Sequence, residues 1–87
     1  PEQPASGGYQ IQVGAYANAS EAEQRLTATR QMASGVLTGH QPLTIAVTKG
    51  SRQLYRARFG GFTATSAASA CTELRRLSVD CFVNKAE

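Results

Sequence analysis

Two segments of the chain place hydrogen-bonding side chains at every second position. Gln10 and Gln12 alternate with apolar residues in YQIQVGAY, and Arg56 and Arg58 do the same in YRARF. A period of two is typical of a β-strand with one buried face, so these side chains should share the outer face. Amides and guanidiniums suit a ligand rich in hydroxyl, carbonyl or carboxylate groups. The two strands therefore present either a binding surface or a merely solvated face, which antiparallel sheets commonly have.

The composition limits the size and the partners of the protein. The chain has 87 residues, about the length of one small domain, and a net charge of +3. Proteins that bind polyanions strongly usually gather more positive charge on one face, so a neutral or weakly anionic partner fits as well. No apolar run approaches the roughly 18 residues that a membrane span needs. We expect a monomer that makes no membrane contact of its own.

The first residues differ in composition from the rest. Residues 1–8 (PEQPASGG) are rich in proline, glycine and serine, which predicts a linker stub. Residues 9–87 are then one domain. Because the chain begins with proline rather than methionine, we expect this domain to be the C-terminal module of a longer protein.

The first half of the domain alternates between strand and helix patterns. After the first strand, Ser20 and Glu23 have the spacing of a capping box, which predicts the start of a helix. A loop is predicted over 35–42, beginning at a glycine that stops the helix. Alternating apolar residues over 43–48 then predict a second strand.

The second half repeats this order. A turn is predicted over 49–53 and a third strand over 54–59. Thr63 is a candidate N-cap for a second helix. The apolar stripe of that helix consists of Ala67, Ala70, Cys71, Leu74 and Leu77. A last strand is predicted over 79–83.

The order of elements predicts an α+β fold. Strand–helix–strand–strand–helix–strand (βαββαβ) is the ferredoxin-like, or RNP-like, pattern: a four-stranded antiparallel sheet with both helices on one face and strands one and three in the centre. The helix-covered face is expected to take Ile11, Val13, Leu43, Ile45, Val47, Tyr55, Ala57, Phe59, Val79, Cys81 and Val83. The other face is expected to take Gln10, Gln12, Thr44, Ala46, Arg56, Arg58, Asp80 and Phe82.

The motifs resemble a known family. YQIQVGAY (9–16), YRARFGGF (55–62) and the closing segment 71–83 are similar to the SPOR (sporulation-related repeat) domain, whose members often open with aromatic-x-Val/Ile-Gln-Val-Gly-Ser/Ala-Phe/Tyr. Their third strand commonly reads Tyr-Arg-Val-x-x-Gly-Pro-Phe. The resemblance extends over nearly the whole domain. It departs at Ala57, where valine is usual, and at Gly61, where proline is usual.

The resemblance implies a function. SPOR domains are non-catalytic modules that bind peptidoglycan, preferring glycan strands stripped of stem peptides, in the bacterial periplasm and at the division septum. Gln12 matches the glutamine of the family motif and is the expected first contact. Arginines would donate to acetamido carbonyls or lactyl carboxylates, and aromatic rings would stack on sugars. The candidate glycan-binding residues are Gln10, Gln12, Tyr16, Arg56, Arg58 and Phe82.

Two other functions share parts of this pattern. An RNA-recognition domain has the same architecture but needs outward aromatic residues on its central strands, and Phe82 alone is a poor platform for bases. An enzyme would need converging acids or bases, whereas His40 is the only histidine and is predicted on a loop. No P-loop, Rossmann or zinc-spacing motif occurs. We expect no catalytic residues, no cofactor, no metal and no nucleic-acid partner.

The two cysteines admit two interpretations. Cys71 and Cys81 are both predicted to face the core, either as free thiols acting as small apolar groups or as a disulfide. The envelope location that the resemblance implies favours the disulfide. Closing so short a loop stabilises a small domain by roughly 3 kcal/mol.

Overall fold

The computed structural model describes residues 8–85 and forms one sheet with helices on one side. The elements are β1 (Tyr9–Tyr16), α1 (Ala19–Met32), α2 (Ser34–Leu37), β2 (Pro42–Lys49), β3 (Arg52–Phe62), α3 (Ala64–Arg76) and β4 (Phe82–Lys85). The strand order β2-β3-β1-β4 and the antiparallel pairing confirm the predicted sheet, with strands one and three central. The predicted linker stub, apart from Gly8, lies outside the described residues.

The helix boundaries differ from the prediction in the first half of the chain. The N-cap of α1 is Asn18, whose side chain accepts a hydrogen bond from the Glu21 backbone at 2.8 Å, so Ser20 is not the cap. An asparagine at this position satisfies an orphan N–H as well as serine does, and the sequence offered both. The segment predicted as a loop contains the short helix α2. Thr63 caps α3 as predicted, with Ser66 completing a capping box.

The core lies between the sheet and the helices. Its fully buried residues include Ile11 and Phe59 from the central strands and Leu37 from α2. On α3, the predicted stripe is buried except for Leu77, which is 43% exposed at the helix end. Cys71 and Cys81 form a disulfide with their Cα atoms 5.2 Å apart, which confirms the predicted bond. The disulfide joins α3 to the segment before β4.

One strand is turned over relative to the prediction. Leu43 lies opposite Arg58 and Ile45 lies opposite Arg56, and directly opposed residues of an antiparallel pair share a face. The face without helices therefore carries the aliphatic side chains of β2, which are Leu43, Ile45 and Val47. The prediction that they belong to the core was wrong. Thr44 and Ala46 take the helix side instead of the outer face.

The reason is the length of the β2–β3 turn. The sequence pattern suggested a turn over 49–53, whereas Lys49 pairs with Arg52 around a two-residue loop, Gly50–Ser51. Shifting the register of a hairpin by one residue moves every side chain of a strand to the opposite face. The shorter turn thus sets Val47 beside Leu54.

A β-bulge turns over the end of β1. The register of β1 against β3 shifts between Gln12 and Gly14, so that Val13 is the extra residue. Beyond the bulge, Tyr16 pairs with Tyr55, and both pack against the core. Arg25 of α1 donates a hydrogen bond to the Tyr16 hydroxyl at 3.4 Å, which raises the pKa of that guanidinium. Tyr16 therefore lies on the helix side, away from the glutamines.

A second bulge lies in β3, at Gly60–Gly61, where the pairing with β1 shifts again. Gly61 has φ +83°, a conformation that glycine adopts without strain. The strand continues through this bulge to Phe62, whereas the alternation predicts its end at Phe59. The last strand starts later than predicted, at Phe82. Asp80, which was expected on the outer face of that strand, precedes it and lines a cavity beside Tyr16.

We expect Gly14→Ala to destabilise the domain by about 1–2 kcal/mol, because a Cβ at this position would lie 2.7 Å from Tyr16 Cζ and the ring would have to move. Urea unfolding measures the change. In Gly14→Ala/Tyr16→Ala the added cost of the alanine should nearly vanish, because the clash is with the ring. Additive effects of the two substitutions would show that Tyr16 does not restrict Gly14.

Candidate functional site

The helix-free face of the sheet carries a continuous row of side chains from all four strands. Phe82 of β4 lies opposite Gln12 of β1, Gln12 opposite Arg58 of β3, and Arg58 opposite Leu43 of β2. Neighbouring strands are about 4.8 Å apart, so this cross-strand row is about 14 Å long. Its two ends are apolar and its centre is polar. Phe82 is 59% exposed, so its ring is accessible to a ligand.

Arg58 organises the centre of the cross-strand row. Its Nε donates to Gln12 Oε1 at 2.9 Å, and its Nη1 donates to Gln10 Oε1 at 3.1 Å. Both amide oxygens thus accept from one guanidinium, which fixes the two amides in orientation. Among the described residues, no partner takes the Nε2 donors of Gln10 and Gln12. The cluster therefore offers two oriented N–H donor groups beside a positive charge.

Arg56 lies in the next row, between Ala15 of β1 and Ile45 of β2. Its side chain is partly buried among these neighbours. It is a second cation on the same central strand as Arg58, with its charge on the same face. Further out, Lys49 and Arg52 lie directly opposite each other at the end of the hairpin, also on this face.

The two faces differ in where the acidic residues lie. In the part of the chain that the structure describes, the acidic residues lie on the helices or in the loop before β4, and the helix-free face has cations only. Directly opposed like charges, such as Lys49 and Arg52, destabilise a hairpin by a few tenths of a kcal/mol. This face is therefore suited to a ligand that carries carboxylates or other acceptors.

The structure brings together five of the six sequence-predicted residues. Gln10, Gln12, Arg56, Arg58 and Phe82 share the helix-free face, whereas Tyr16 lies on the opposite one.

Sequence reasoning missed Leu43 and Ile45, which the alternation alone could not assign to this face. It also missed Asn84, which lies opposite Gln10 and extends the amides by one strand. The Asn84 Nδ2 group is buried and has no hydrogen-bond partner among the described residues.

A comparison with protein-family models decides the family. The model for the SPOR domain matches residues 5–85, nearly the whole chain. The chain belongs to the SPOR domain family. This confirms the resemblance seen in the motifs of β1 and β3. A search of curated proteins found no match.

Two solved structures share the fold of this SPOR domain. The crystal structure of the RlpA SPOR domain from Pseudomonas aeruginosa has a TM-score of 0.72 and 23% sequence identity, covering 91% of this chain and all of that one. The solution structure of the peptidoglycan-binding domain of the B. subtilis cell wall lytic enzyme CwlC has a TM-score of 0.63 and 19% identity, covering 100% of this chain and 99% of that one. At these identities the likeness concerns the fold.

Three further observations bear on other functions of the SPOR domain. His40 stacks on Phe62 with ring centroids 3.7 Å apart, and its Nδ1 lies 2.9 Å from the Gly60 carbonyl oxygen, so it braces the β3 bulge. Over residues 8–85, no three histidine, cysteine or acidic side chains are grouped to hold a metal ion. No helix in that range is long and apolar enough to cross a membrane.

Proposed function

We propose that this SPOR domain binds the glycan strands of peptidoglycan on its helix-free face. The observation that carries the proposal is the pair of hydrogen bonds from Arg58 to the oxygens of Gln10 and Gln12. They orient two amide N–H groups beside the positive charge of Arg58 on one surface. Sugar hydroxyls and acetamido carbonyls accept such hydrogen bonds, and lactyl carboxylates pair with arginine. The naming of the CwlC domain as peptidoglycan-binding supports the same ligand.

The cross-strand row suits an elongated ligand. A glycan strand lying across the strands would meet Phe82 at one end, where a ring can stack on the apolar face of a sugar, and the amides in the centre. Asn84 lies opposite Gln10 and extends the amides onto β4. A stem peptide consumes the lactyl carboxylate in an amide bond, and its removal frees that carboxylate to pair with arginine, which favours stripped strands.

The domain itself acts without catalysis in this proposal. It holds the protein that contains it at the bacterial cell wall, in the periplasm and at the division septum. It acts there as a monomer and makes no membrane contact of its own. The disulfide between Cys71 and Cys81 supports a location outside the reducing cytoplasm. The absence of outward aromatics on β1 and β3 disfavours RNA as the partner.

Pull-down with purified sacculi, before and after amidase treatment, tests the proposal. We expect the wild type to bind the treated material better. Gln12→Ala should weaken binding by about fivefold, the effect of one lost hydrogen bond of about 1 kcal/mol, with an unchanged melting temperature. Gln24→Ala, an exposed glutamine on α1, is the matched control. Binding to RNA but not to sacculi, or equal binding by Gln12→Ala and the wild type, would contradict the proposal.

A further inference from the structure

The helix-free face carries four aliphatic side chains that its core does not use. Leu43, Ile45 and Val47 of β2 and Leu54 of β3 are all partly exposed there, in adjacent rows of the hairpin. We refer to these four residues as the aliphatic strip. Apolar side chains that remain in contact with water do not contribute the free energy that their burial would give. An exposed strip of this kind beside a polar cluster therefore points to a ligand with apolar groups of its own.

Two residues of the aliphatic strip lie directly opposite the two arginines of β3. Leu43 lies opposite Arg58, and Ile45 lies opposite Arg56. A bound group that places a carbonyl within reach of either arginine therefore has its other substituent beside an aliphatic side chain. An acetamido group has this composition: its carbonyl oxygen accepts a hydrogen bond and its methyl is apolar.

On this basis, and resting on the proposed function, we propose that the domain recognises the N-acetyl groups of the glycan. The acetamido carbonyl accepts from Arg56 or Arg58, and the methyl packs on Leu43 and Ile45. The domain then discriminates N-acetylated glycan strands from strands whose amino groups are free.

Electrostatics adds to this discrimination. Removing an acetyl group leaves an amine that is protonated at neutral pH. The helix-free face offers Lys49, Arg52, Arg56 and Arg58 as its charged groups within the described part of the chain, all of them cations. An ammonium placed beside them is repelled, and the hydrogen-bond acceptor of the acetamido group is lost as well. De-N-acetylated strands are therefore disfavoured for two independent reasons.

The same charges argue against another occupant of the strip. A second copy of this chain docked face to face would bring the two sets of cations directly against each other, which is costly for an interface. A peptide added as a strand at the β2 edge would lie two strand spacings, about 9.6 Å, from the arginines of β3. A glycan lying across the strands contacts both at once.

The experiment compares three forms of one glycan preparation. Amidase-stripped strands are de-N-acetylated, and portions are then re-acylated with acetyl or with formyl groups. The N-formyl strand keeps the neutral amide and its carbonyl and lacks only the methyl. For the wild type we expect binding to N-acetyl strands about threefold to fivefold tighter than to N-formyl strands, from one methyl contact. De-N-acetylated strands should bind at least about tenfold more weakly than N-acetyl strands at low salt.

Substitutions locate the effect. Leu43→Thr/Ile45→Thr keeps strand-forming residue types while reducing apolar area, and should bring the ratio of N-acetyl to N-formyl affinity close to one. Ala46→Thr, on the opposite face of the same strand, should keep the wild-type ratio.

The outcomes separate the two proposals. Equal affinity of the wild type for N-acetyl and N-formyl strands would overturn the recognition of N-acetyl groups while leaving glycan binding in place. An unchanged ratio in Leu43→Thr/Ile45→Thr would move the recognition away from β2. No binding to N-acetyl strands at all would overturn the proposed function itself. The comparison of strands uses the wild type, so it stands even where the double variant does not fold.

Discussion

Replacing Arg58 with alanine is expected to weaken binding to stripped glycan strands by at least about tenfold, more than Gln12→Ala does. The substitution removes a positive charge and also releases the oxygens of Gln10 and Gln12, so that both amides lose their fixed orientation. Hydrogen bonds that involve a charged group contribute about 1.5–3 kcal/mol, which corresponds to this loss or a larger one. Affinity measured by calorimetry on solubilised strands checks it.

Two variants control for charge and for geometry. Arg76→Ala removes one charge from the exposed end of α3, where Arg76 pairs with Glu73 at 3.7 Å, and should leave binding unchanged. Arg58→Lys keeps the charge but not the planar fork that reaches two oxygens, so it should recover only part of the affinity. If Arg58→Ala and Arg76→Ala lost affinity equally, general charge attraction would replace the cluster as the explanation.

Reducing the disulfide should lower the free energy of unfolding by about 3 kcal/mol, the chain-entropy value for a loop of this length. For a domain of this size that corresponds to a fall in melting temperature of about 10–20 °C. Cys71 and Cys81 are both buried in the core, and their bond links α3 to the segment before β4. Thermal unfolding followed by circular dichroism, with and without reductant, measures the change.

A titration of free thiols and a variant that lacks both cysteines complete this test. Oxidised protein should show almost no titratable thiol when denatured without reductant. Cys71→Ala/Cys81→Ala should melt no higher than reduced wild type, because it also loses two buried sulfur atoms. An unchanged melting temperature on reduction would show that the bond contributes little, and two free thiols in oxidised material would show that it does not form.

The sequence predicted the architecture because the decisive signals were local. The alternation around Gln10 and Gln12, the Thr63 cap and the stripe on α3 each fix an element without reference to the others. With the order of elements known, the handedness of the crossovers places the helices on one face. The central strands and their outward glutamines and arginines followed from these rules alone.

Single-residue changes of register account for what the sequence did not predict. A period of two says that Leu43 and its neighbours share a face, but the turn length decides which face, and a two-residue turn cannot be told from a longer one by alternation. The bulge at Val13 moves Tyr16 away from the site in the same way. Both corrections matter for function, since one adds an aliphatic strip to the site and the other removes an aromatic ring.

The central claim is that the ligand lies on the helix-free face, and a titration followed by two-dimensional NMR tests it most directly. The side-chain amide signals of Gln10 and Gln12 and the Nε–H signal of Arg58 can be followed while stripped glycan strands are added. We predict that these signals shift together with the backbone signals of Leu43 and Phe82, along the cross-strand row. Shifts confined to the helix side, for example to the groove of about 420 Å³ lined by Thr65, Ser69 and Glu73, would contradict the account.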